Sequence, residues 1–130
     1  MRKDTISEEA AALANRPDDF AGDVRIQAIN RPDDAKEIEM LVVRFPAGGR
    51  TRPHTHEIDQ TLHVIEGEGV VATETERILV KPGDVVTIPA DTWHWHGATP
   101  DSPMTHISIK PLGATHWGAP EKNWANYMDV

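Results

Sequence analysis

Histidine dominates the reactive chemistry of this 130-residue chain, which has seven histidines and no cysteine. Two of them form His54-Thr55-His56, two form His94-Trp95-His96, and His106 follows in the next β-type run. Side chains two residues apart in a strand leave the same face, so each His-x-His pair can converge on one point. Neutral imidazole is the commonest side-chain ligand for zinc, iron, nickel and copper, and it also serves manganese. Two imidazoles from one strand and one from another make a facial set with positions left open for a substrate. A lone histidine is more often a satisfied core residue. Two separate His-x-His pairs in one small β domain point instead to a metal site. Gln60 shares the parity of His56, so it either joins that set or hydrogen-bonds beside it. His63 has the opposite parity to Gln60 and His116 lies beyond the last strand; both read as structural or surface residues.

The elements that must position these groups are short strands. From about Asp23 to Leu112, β-branched and aliphatic runs alternate with Gly/Pro turns. They fall at 23–29, 37–45, 60–65, 70–73, 77–80, 85–88, 93–97 and 104–110, separated by Pro46-Ala47-Gly48-Gly49, Glu66-Gly67-Glu68-Gly69 and Lys81-Pro82-Gly83-Asp84. About eight strands with turns at this spacing argue for an all-β sandwich or jelly-roll barrel. Two terminal arms flank it, 1–22 and 113–130. In the first, Ile6, Ala10, Leu13 and Ala14 recur at helical spacing, Thr5 and Glu8 fit a capping box, and Pro17 ends the run, which predicts a short helix. In the second, Trp124, Tyr127 and Met128 after Pro120 predict a surface helix or a docking arm. The length suits one domain spanning 1–130.

Composition narrows the partners. A net charge of −8 repels duplex DNA and anionic lipid alike. No apolar run approaches the ~20 residues needed to span a bilayer, and residues 1–22 show no secretory pattern, so a soluble cytoplasmic protein is expected.

The two histidine pairs sit in a recognisable frame, and the chain resembles the cupin superfamily. The first cupin motif reads here as Gly48, His54-Thr55-His56, Gln60 and Gly67; the second reads as Gly83, Pro89-Ala90-Asp91, His94 and Ala98. Every spacing of the two motifs is kept, while Gln60 replaces a glutamate, Asp91 a glycine and Ala98 an asparagine. The resemblance implies a cupin jelly-roll barrel. Gln60-Thr61-Leu62, Trp93 to Ala98, Met104-Thr105-His106 and Asp19-Phe20-Ala21-Gly22 are further similar to small bacterial cupins that include the manganese-dependent hydroxynitrile lyases. Carried over by position, that similarity implies His54, His56, Gln60 and His94 as metal ligands and His106 as the pocket base. It implies one divalent metal per chain, manganese first, with iron, nickel and zinc also accepting such donors.

Three imidazoles and one amide leave a dication's charge uncompensated. Such a centre is a strong Lewis acid and a poor host for higher oxidation states. This favours a lyase acting on the C–C bond of a small hydroxy or carbonyl compound, of the hydroxynitrile lyase or retro-aldol kind. A metal-dependent dioxygenase and a non-enzymatic binding module are the alternatives, since one barrel carries all three. His106 and His96 are candidate acid–base groups. Lys110 shares the parity of His106 and reads as a base, an anion clamp or a solvated strand end. Leu41, Val43 and Leu62 are expected pocket walls. Trp93 and Trp95 have the opposite parity to His94 and should face away from the metal; with Leu13, Trp117, Trp124 and Met128 they need cover, which predicts a homodimer or homotetramer.

Overall fold

The computed structural model describes residues 1–30 and 37–118. Its described residues form thirteen strands and no helix: β1 (Ala12–Leu13), β2 (Phe20–Ala21), β3 (Arg25–Asn30), β4 (Ile38–Phe45), β5 (Arg50–Thr51), β6 (His54–His56), β7 (Gln60–Gly67), β8 (Gly69–Ala72), β9 (Arg77–Val80), β10 (Val85–Ile88), β11 (Trp95–Ala98), β12 (Met104–Pro111) and β13 (Thr115–Trp117). The eight expected runs correspond to β3, β4 and β7 to β12. Three antiparallel sheets result, in the orders β1-β3-β4-β12-β7-β10, β2-β5-β11-β8-β9 and β13-β6.

Alternation explains where the core lies. Val43 and Phe45 on β4, Leu62 and Val64 on β7, and Met104 on β12 meet Phe20, Val71, Val80 and Ala98 from the five-stranded sheet, with Val24 and Ile88 completing the cluster. A second, smaller cluster holds Val70, Ala72 and Trp95, with Trp93 packed against it. Trp93 and Trp95 thus separate from the main core, as their parity predicts. Trp95 is nevertheless fully covered within the chain, and the Arg50 guanidinium lies 6.0 Å from its ring.

The N-terminal helix does not form. Ala10 N–H donates to the Ser7 hydroxyl and Ala11 N–H to the Glu8 carbonyl, a turn in place of a capping box. Ala12 and Leu13 then pair with Ile26 and Arg25 along the outer edge of β3. A run this short is marginal as an isolated helix, whereas an open strand edge offers unpaired backbone groups. The surface helix or docking arm expected at Trp124, Tyr127 and Met128 lies outside the described residues. Just before it, β13 pairs with the histidine strand β6.

Turn geometry accounts for two motif positions. Gly67 has φ 73°, and a Cβ there would come within 1.8 Å of the Pro103 carbonyl oxygen, so no other residue fits. Asp91 stands where the motif has glycine and adopts φ 61°, a left-handed conformation that aspartate tolerates better than most residues.

Candidate metal centre

His54 and His94, forty residues apart, are locked together by their own backbones. Each N–H donates to the other's carbonyl at 2.9 Å, an isolated antiparallel bridge between β6 and the residue preceding β11. His56 follows on the same face of β6, and its carbonyl accepts the Asp91 N–H at 2.8 Å. One ring nitrogen from each of His54, His56 and His94 falls within 4.8 Å of the others, and all three residues are buried. This group can hold a metal ion.

Ring orientation is set from behind. His54 Nδ1–H donates to the Arg52 carbonyl at 2.7 Å, and His94 Nδ1–H donates to the Thr92 carbonyl at 2.8 Å. A carbonyl only accepts, so both neutral rings carry hydrogen on Nδ1 and present the Nε2 lone pair inward. His56 Nδ1 contacts the Thr115 hydroxyl at 2.9 Å, while its Nε2 is buried without a partner.

Gln60, the first residue of β7, points to the same place. Its Nε2 donates to the Ser108 hydroxyl at 2.9 Å, which turns Oε1 toward His94 Nε2, 3.1 Å away. An amide oxygen and an imidazole lone pair at that separation repel each other unless a cation or a proton lies between them. Burial holds the His94 pKa down to about 4, so no proton is supplied near neutral pH. The arrangement fits a cation.

Burial likewise depresses the other imidazoles. His54 lies well below its ordinary value, through burial first and then the neighbouring His94, with a smaller contribution from the Lys110 charge. His56 is lowered to about 4 by burial and then by His94. The cluster is therefore a set of neutral donors at physiological pH.

Beside it lies a second pair. His106 on β12 and His96 on β11 share a hydrogen bond of 2.8 Å between Nε2 and Nδ1, and their outer nitrogens, His106 Nδ1 and His96 Nε2, are buried without partners. Phe45 packs against both rings, at 5.3 Å from His106 and 5.9 Å from His96. Burial lowers His106 to about 3; it also lowers His96, with His106 as the next cause.

A cavity of about 200 Å³ opens beside these groups, and His94 does not line it. His54, His56, Gln60, His96, His106, Ser108 and Lys110 line it, as do Leu41 and Val43. Leu62, expected as a wall, packs in the core and does not line the cavity. Lys110 is not a solvated strand end: it is buried, lines the cavity and pairs with Glu39 at 3.1 Å. His63 does not line the cavity, and His116 is half-exposed and paired with Glu57.

Several contributors were not singled out from the sequence. Ser108 orients Gln60, and its shared parity with His106 and Lys110 was an available signal. Thr115 holds His56, and Trp117 lies over His54 with ring centroids 4.5 Å apart and against Phe20 at 5.8 Å. Trp117 and Thr115 reach the site only because β13 folds back onto β6, which no local pattern announces.

Known proteins resemble this chain to different depths. A curated (R)-mandelonitrile lyase from Granulicella tundricola is 39% identical over 92 residues, 70% of each chain. The crystal structure of a cupin-like protein from Thermotoga maritima superposes with a TM-score of 0.83 at 30% identity, over 95% of this chain and 94% of that one. A polyketide cyclase from Streptomyces resistomycificus shares the fold alone, with a TM-score of 0.77 at 17% identity over 99% and 94% of the two chains. Residues 41–110, more than half of the sequence, match the cupin domain family model, and the chain belongs to that family.

Proposed function

We propose that the protein is a metal-dependent lyase that cleaves or forms a C–C bond in a small hydroxy or carbonyl compound, as a hydroxynitrile lyase does. The observation that carries this reading is a neutral imidazole set beside one small cavity that His54, His56, Gln60, His96 and His106 line. The name of the Granulicella relative supports it. In this proposal His54, His56 and His94 hold one divalent ion, manganese first among the candidates, and the Gln60 amide oxygen completes the set. With no anionic ligand, the ion would act as a Lewis acid that stabilises negative charge on a substrate oxygen.

The chain's own groups would then manage the protons. We infer the tautomer in which His106 Nε2–H donates to His96 Nδ1, leaving a lone pair on His106 Nδ1 and hydrogen on His96 Nε2. Both atoms are buried, so the step requires the two rings to turn toward the cavity. His106 Nδ1 takes the hydroxyl proton of a cyanohydrin. The C–C bond breaks, its electron pair leaves with cyanide, and the oxygen forms the carbonyl. His96 Nε2–H protonates the cyanide while the shared proton moves from His106 to His96. Atoms balance as aldehyde plus hydrogen cyanide, and the pair ends in the opposite tautomer. Leu41 and Val43 supply the apolar wall for the rest of the substrate. At about 200 Å³ the cavity is smaller than the 300–1,000 Å³ of drug-sized ligand sites, which restricts it to small molecules.

Mandelonitrile cleavage under nitrogen tests the reading. Manganese-loaded protein should release benzaldehyde, and His106→Ala should slow release by about a hundredfold or more, the usual contribution of a positioned base. Benzaldehyde release no faster than with metal-free protein would refute the lyase. Substrate-dependent oxygen uptake in air, without cleavage under nitrogen, would establish the dioxygenase instead.

A further inference from the structure

The cavity holds a charged pair, a buried lysine and a partly buried glutamate, that the proposed reaction does not use. Lys110 on β12 and Glu39 on β4 face each other in the strand register, and Lys110 Nζ lies 3.1 Å from Glu39 Oε1. Both line the cavity, with the Lys110 side chain 6% exposed and that of Glu39 23%. Withdrawing an ammonium from water is expensive, and apolar replacements of buried pairs are often neutral or stabilising. Fold stability alone is therefore a weak reason for this pair.

Its position supplies a better one. Lys110, Ser108 and His106 alternate along one face of β12, so the ammonium stands in line with the imidazole pair. An ammonium has three donors and Glu39 engages it from one side. Among the described residues the charged groups lining the cavity are Arg16, Glu39 and Lys110; Asp19 pairs with Arg16 as Glu39 pairs with Lys110, so the protein's own charges there are balanced. A divalent ion among neutral donors would leave the site with two uncompensated positive charges. A neutral substrate leaves that field uncompensated, whereas an anionic one compensates it.

We propose that Lys110 anchors a carboxylate of the substrate, so that the preferred ligands are small hydroxy or oxo acids rather than their uncharged counterparts. This rests on the proposed function only in directing the substrate's hydroxyl or carbonyl oxygen toward His54, His56 and His94. Glu39 is the positioning residue: it holds the ammonium at the wall and competes with the incoming carboxylate for its donors.

Calorimetric titration of the metal-loaded protein with mandelate and with mandelamide separates charge from shape, since both carry the same ring and hydroxyl. The wild type should bind mandelate at least about tenfold more tightly than the amide, the scale of one hydrogen bond to a charged group. Lys110→Met should erase most of that preference, with one metal retained per chain and cooperative unfolding preserved. Glu39→Gln removes the competing acid and should increase the preference. Equal binding of the two ligands by the wild type overturns the proposal. A preference that survives in folded Lys110→Met also overturns it, because the metal side alone would then select the anion. Should Lys110→Met fail to fold, Glu39→Gln decides: a preference that stays level or falls there overturns the proposal. Mandelonitrile cleavage by the same wild-type preparation is scored separately. Its absence beside an intact carboxylate preference sinks the lyase reading and supports the role of Lys110.

Discussion

Ser108→Ala removes a hydroxyl that takes no part in the proposed proton transfers, yet it should weaken metal binding. Ser108 Oγ accepts the Gln60 Nε2 hydrogen at 2.9 Å, and both residues are buried. That bond decides which end of the amide points at His94 Nε2. Without it, Gln60 Nε2 becomes a buried donor with no partner, a loss of about 1–3 kcal/mol. The amide is also free to turn its NH₂ toward the metal, where it cannot act as a ligand. Loss of an outer hydrogen-bond partner of a ligand typically lowers metal affinity by about 10–100-fold, or roughly 1.4–2.7 kcal/mol. Competition with a fluorescent chelator measures this directly. Ser108→Thr restores the hydroxyl and should recover most of the affinity, which separates orientation from simple cavity formation. Unchanged affinity in folded Ser108→Ala would show that Gln60 is not oriented by this bond, or is not a ligand.

Four other outcomes follow from the same geometry. His54→Ala or His94→Ala should abolish stoichiometric metal binding in a folded barrel, and full occupancy by elemental analysis would remove that residue from the set. Gln60→Glu should keep the metal but lower lyase turnover, because a carboxylate reduces the uncompensated charge; unchanged turnover would defeat the argument from ligand charge. Metal-free protein should lose stability on acidification: burial lowers His94 to about 4, so between pH ~6.5 and 4 the unfolded chain takes a proton that the folded site refuses, a loss on the order of 3 kcal/mol from His94 alone. Urea midpoints that stay level across that window would contradict it. Ile78 and Leu79 on β9 and Val85 on β10 expose 40%, 70% and 59% of their surface at the outer strands of the two large sheets, so light scattering should give two or four times the 14.4 kDa chain mass. A monomeric mass would show that these residues stay in solvent.

The sequence determined this protein's class and the identity of its reactive groups. Alternating apolar residues demanded strands, since a strand's faces repeat every two residues. The spacing of His54, His56 and Gln60 between Gly48 and Gly67, and of His94 after Gly83, placed them in cupin motifs. Those signals are local, and local patterns survive without knowledge of the fold. The helix expected over Thr5 to Pro17 failed because an open edge on β3 outcompeted a weak local preference, and that edge exists only once the sheet is built. The cross-bond between His54 and His94, the amide held by Ser108, the imidazole pair of His96 and His106, and the burial of Lys110 against Glu39 all join residues distant in sequence. Parity tells which face a side chain leaves, but not which strand lies opposite or how far away. Those two quantities set the hydrogen bonds, the neutral imidazoles and the charge of the cavity, and the tertiary structure alone decided them.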